Sequence, residues 1–172
     1  MSAPADGLTN AAILEITKPN GILGVAEPLI VGAASGDLAG QREIRDAYLR
    51  VVGDKSKPLA LLVTSADCAV LTARLAASHG ELGDVLCLAD ALLRASDVWQ
   101  LCGVDHISQS RLVEGLGLYK RIASTGHALA DRTFQMLAAA MPASVMERVM
   151  EDELRLGAAV SDGAPSERAR IH

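Results

Sequence analysis

Three times along this chain a run of small residues ends on a glycine and turns into a new helical pattern. The three runs are Ala33-Ala34-Ser35-Gly36-Asp37-Leu38, Ala77-Ser78-His79-Gly80-Glu81-Leu82 and Ala123-Ser124-Thr125-Gly126-His127-Ala128. Their glycines stand 44 and 46 residues apart, close to the period of arrays built from two helices per repeat. Before the third glycine, Leu112, Leu116, Tyr119 and Ala123 recur every three to four residues, and Val70, Ala73 and Ala77 do so before the second. Such spacing places each set on one helical face. After the glycine, Val85, Leu88, Ala89 and Leu92 form a second stripe, as do Leu129, Thr133, Phe134 and Leu137. A glycine between two such stripes is free to take positive φ, which ends the first helix and sends the chain back. The unit therefore reads as helix, tight turn, helix.

Composition supports helices throughout. Ala and Leu, both strong helix formers, dominate, while aromatic residues make up 2%. With so few rings, a core must form by close backbone approach at Ala and Gly, with Leu filling the gaps. At 172 residues the chain suits one domain. Its 16 Lys and Arg against 21 Asp and Glu, a net charge of −5, disfavour general attraction to nucleic acid or to an anionic membrane. Cys68, Cys87 and Cys102 show neither C-x-x-C nor zinc spacing, and read as reduced core thiols of a cytoplasmic protein. The start of the sequence lacks a secretory pattern. The apolar run Leu59 to Val63 falls short of a membrane span.

Turn residues divide the rest. Residues 1–20 form an opening segment containing the pattern Thr9 to Thr17, closed by Pro19-Asn20-Gly21. The helical repeat domain is expected over 21–157, with linkers at Gly53 to Pro58 and at Gly103 to Ser110. Pro142-Ala143-Ser144 opens a last helix in which Ser144 and Glu147 have capping-box spacing. Carrying Val145, Val149 and Leu156 among charges, that helix is expected to cap the open end of the stack. Residues 158–172 read as a flexible tail.

At these positions the repeats resemble the SEL-one-like family, helical repeats related to tetratricopeptide repeats. The third copy carries Glu114-Gly115-Leu116, Tyr119-Lys120-Arg121, Ala123, Gly126, Ala130 and Phe134; the second offers Ala69, Ala76-Ala77, Gly80 and Leu88; the first offers Ala33, Gly36, Ile44 and Tyr48. Departures are Arg45, Ala89 and Gln135 where a glycine follows the Leu position, and Asp84 where a small residue follows the second turn. The resemblance implies an all-α fold, an α/α solenoid of about three helical hairpins with a C-terminal capping helix. It also implies a non-enzymatic adaptor or scaffold for a peptide or protein partner, needing no cofactor. First helices tend to line the concave side in that family, so Arg74, Glu114, Lys120 and Arg121 are the expected partner contacts.

Other chemistry is thinly signalled. Cys102 and His106, near Asp97 and Asp105, lack a third orienting group for a metal site or a nucleophile. Gly115-x-Gly117 lacks the third glycine and preceding strand of a phosphate loop. Trp99 reads as a packing residue. The rival architecture is a βαβ unit over 59–90, with Leu59 to Val63 and Val85 to Leu88 as buried strands and Asp90 at a strand end. It would suit a small α/β enzyme or phosphoacceptor regulator.

Overall fold

A computed structural model describes Val25 and residues 27 to 162, with side chains through Asp152. Seven helices follow one another: α1 Glu27–Ala34, α2 Leu38–Gly53, α3 Leu59–Ala77, α4 Leu82–Leu101, α5 Asp105–Ser124, α6 Ala128–Ala140 and α7 Ala143–Asp162. The described residues contain no strand, so the βαβ expectation is wrong. Leu59–Val63 opens α3 and Val85–Asp90 lies inside α4. Each apolar run circles its helix and is buried only in part, at Leu62 in the first and at Leu88 and Ala89 in the second, while Leu62, Ala66, Val70 and Ala73 keep a helical period into the core. α3 is the one described helix long and apolar enough to cross a membrane, and 44% of that window is buried inside the protein.

All three glycine elbows fall between helices, at φ +91° (Gly36), +85° (Gly80) and +87° (Gly126). At the first, the Gly36 amide donates to Ala33 and the Asp37 amide to Gly32, satisfying the last carbonyls of α1. The residue after each glycine is the N-cap of the next helix. Asp37 accepts from the Gly40 amide at 2.7 Å, and His127 Nδ1 from the Ala130 amide at 3.2 Å. His127 thus serves the helix that follows the elbow, whereas His79 is exposed.

Three boundary expectations need correction. The segment Gly103 to Ser110 is no linker: α5 begins at Asp105, and Gly103 supplies a fourth left-handed turn at φ +71°. Ser108, polar yet buried, meets Ser96 across α4 and α5 at 3.0 Å, which lets a serine lie inside a helix contact. Ser144 does not cap α7. The Val145 and Met146 amides donate to the Pro142 carbonyl, so the helix starts at Ala143 with Ser144 in its first turn. Finally, α7 runs through Asp162, past the expected end at 157. The opening segment 1–20 and residues 163–172 lie outside the described residues.

Each helix from α1 to α5 packs against its successor, but α7 packs on α5 and makes little contact with α6. Short connections make successive helices antiparallel, so helices two apart run in the same direction. The core follows the pairs. Ile30, Ile44, Tyr48 and Ala69 join α1, α2 and α3. Ala66, Val70, Leu92 and Val98 join α3 to α4. Val113, Leu116, Val145 and Val149 join α5 to α7. Where α1 crosses α2, a Cβ on Gly40 would strike the Leu29 carbonyl oxygen and lie 2.6 Å from the Ala33 nitrogen. Glycine there sets the approach of the two backbones.

A candidate interaction groove

Polar contacts bind helices that are two apart. Between α2 and α4, Arg42 holds Asp84 at 2.6 Å and also meets Glu81, while Arg45 Nη1 donates to Asp84 Oδ1 at 2.8 Å. Asp84 is 2% exposed, and Arg45, also bonded to Asp46, is 6% exposed. Between α3 and α5, Arg74 bonds both oxygens of Glu114 at 2.6 and 2.7 Å. On the same side Asp67 accepts from Trp99 Nε1 at 3.1 Å and faces Arg111 at 3.6 Å. Between α5 and α7, Arg148 donates to Gln109 at 2.9 Å and Lys120 Nζ approaches Met150 Sδ at 2.7 Å. The odd helices α3, α5 and α7 are linked by one set of polar contacts, and α2 and α4 by another.

Hydrogen bonds from Arg42, more than any other influence, hold the Asp84 carboxyl below its ordinary range, with Arg45 adding to the effect against the opposing pull of burial. A carboxylate stabilised only in the folded state contributes stability that is complete above its unfolded pKa, about 4, and lost as pH falls through the lower folded value. Acid titration of stability is therefore expected to show a steeper decline below about pH 4 than the Asp84→Asn variant does, by at most about 1.4 kcal/mol per pH unit. Superimposable acid limbs for the two proteins would contradict this role. Burial raises the thiols of Cys68 and Cys87, which makes both poorer nucleophiles.

The four expected partner contacts divide. Arg74 and Glu114 are brought together, but with each other. Arg121 lies seven residues beyond Glu114, on the same side of α5, and is exposed. Lys120 is half-buried beside α7. Cys102 is half-buried, and no three His, Cys, Asp or Glu converge as a metal site among the described residues.

A surface that the sequence reading missed lies on the other side of α4, half a turn from Trp99. Two open cavities adjoin there. The first, about 480 Å³, runs from Val52, Gly53 and Lys55 at the end of α2, over Asp90, Leu93, Arg94 and Asp97 of α4, to Leu112, Leu137 and Met141. The second, about 300 Å³, shares Asp97, Leu112 and Met141 and continues past Gln100, Asp105, Ala140 and Val145. Together they form one groove with an apolar floor. It exists because α7 turns onto α5 and leaves α6 uncovered. Of the α6 side chains only Ala130 is buried, and Leu129, expected on a buried stripe, is 64% exposed, as Met136 is at 66%. The signal available was the single Met141-Pro142 break between two helical patterns, too short to show where the last helix would lie.

The charges along the groove are unequally spent. Arg94 Nε donates to Asp90 at 2.7 Å, neutralising that pair. Among the described residues, Lys55, Asp97 and Asp105 have no hydrogen-bonded or ion-paired side-chain partner. No Lys or Arg lines the second cavity, and Arg148 is bonded to the lining residue Gln109. No family model, no curated protein and no solved structure matches this chain.

Proposed function

We propose that this protein is a non-enzymatic interaction module, an α/α solenoid of three hairpins with α7 laid against α5, that grips a peptide or protein partner on its helical surface. The observation that carries the reading is the continuous groove across α2, α4, α5 and α6, apolar at its floor and open to solvent. Binding sites are characteristically concave, mostly apolar and edged by a few polar groups. Supporting it are the 44- and 46-residue spacing of the elbows and the resemblance to SEL-one-like repeats, whose stacked hairpins are scaffolds. Polar contacts that skip one helix suit a stack in which each hairpin rests on the next.

The side bearing Arg74, Glu114, Lys120 and Arg121 is the second place for a partner. The Arg74–Glu114 pair already spends its charge internally, so the groove is the stronger choice. The two sides separate in one capture experiment from native cell extract, with recovered proteins quantified by mass spectrometry. Ala140→Trp, which fills the groove from an exposed position, is expected to lower partner recovery about tenfold, since the ring occupies the space of the partner's few dominant anchor side chains. The Arg74→Ala, Lys120→Ala, Arg121→Ala triple variant is expected to retain it. The reverse result moves the site to the odd helices, and recovery unchanged by both rejects the adaptor reading.

A further inference from the structure

We infer that the groove's partner is a polypeptide segment that places a large apolar side chain in the first cavity and a lysine or arginine in the second. This rests on the interaction-module reading and adds the partner's chemistry to it. The first cavity is floored by Leu93, Leu112, Leu137 and Met141 and, at about 480 Å³, is the larger of the two. Its charged lining, Lys55 and Arg94 against Asp90 and Asp97, sums to zero and Arg94 is bonded to Asp90, so apolar contact dominates. The second cavity has a different character. Its walls carry two carboxylates, Asp97 and Asp105, with no basic residue among the lining groups. Neither carboxylate has a side-chain partner among the described residues.

Met141, Ala140 and Val145 line that same cavity. A long aliphatic stem ending in a cation matches this combination: its methylenes cover the apolar wall while its head reaches the carboxylates. An acidic side chain entering there would meet like charge, which electrostatic complementarity at interfaces selects against. Asp97 belongs to both cavities, so the apolar and basic side chains of the segment must be close together along its chain.

The test uses the full chain, immobilised, and a display library of random twelve-residue peptides. Enriched peptides are expected to carry a Leu, Met or Phe near a Lys or Arg. Their affinity, measured by fluorescence anisotropy, is expected to fall about tenfold in the Asp97→Asn, Asp105→Asn double variant and further in Ala140→Trp. All three positions are exposed, and circular dichroism checks that the variants keep their helices. Loss with Ala140→Trp but not with the Asn variant leaves the groove standing as the site and overturns the charge rule. Enrichment of acidic peptides overturns it as well. Peptides indifferent to Ala140→Trp overturn the groove itself, and failure of any peptide to enrich counts against both readings. Two outcomes name another occupant and also overturn the inference. One is at least tenfold tighter peptide binding when residues 163–172 are removed. The other is a concentration-dependent dimer abolished by Ala140→Trp.

Discussion

Replacing Asp84 with alanine is expected to lower the unfolding free energy by about 3–5 kcal/mol, the usual consequence of removing one partner from a buried ion pair. Arg45 is the reason. Its guanidinium is almost wholly enclosed between α2 and α4, and without Asp84 it would keep only Asp46, whose side chain is half in solvent. Arg42 is more exposed and can turn to water, so Arg42→Ala should cost far less than Asp84→Ala. The loss is a large share of the 5–15 kcal/mol that holds a typical domain together, and corresponds to a fall in melting temperature of about 10 °C for a chain of this size. Denaturant titration of the three proteins measures the order. If Asp84→Ala lost less than about 1 kcal/mol, the cluster would be no stronger than a surface pair.

The second large effect is expected at Gly40. Any side chain there drives its Cβ into the backbone of α1 at Leu29 and Ala33, and backbone does not swing aside as a side-chain tip does. Gly40→Val should therefore lift α1 away from α2. An eight-residue helix does not persist alone in water, so amide protection across residues 30 to 36 is expected to be lost while α3 to α5 keep theirs. Overpacking of this kind costs about 1–3 kcal/mol. Gly53→Ala is the control, since a Cβ at Gly53 meets nothing within 4 Å. Retained protection of α1 in Gly40→Val would mean that the crossing is looser than its geometry states.

Much of the fold could be read in the amino-acid order because its signals are local. A glycine flanked by small residues marks an elbow, and stripes such as Val85, Leu88, Ala89 and Leu92 mark a buried face within a few turns. Gly103 reads as the start of a linker rather than as an elbow because Trp99-Gln100-Leu101-Cys102 before it does not resemble the other three approaches. The polar run His106 to Ser110 then imitated a linker, although Ser108 is satisfied by Ser96 from the neighbouring helix. Long-range placement was harder to read. Asp84 was noticed only as a departure from a small residue, yet that departure supplies the acceptor that joins α2 to α4. Its partner Arg42 stands six residues after Gly36 whereas Asp84 stands four after Gly80, so matching offsets from the elbows do not reveal the pair. For the groove the Met141-Pro142 break was too little: the groove depends on α7 choosing α5 over α6, and nothing within either helix states that choice.

Because bonds run from α2 to α4 and from α3 to α5, the molecule has a parity. Lengthening it by one helix would turn every later helix end for end and carry the acceptor for Arg42 and Arg45 to the wrong flank. Adding two helices together would leave each later residue in its own flank and pointing the same way. Between the bonded helices, only growth or loss by whole hairpins keeps these contacts, and there the unit of change is the distance between two elbows rather than the length of a helix.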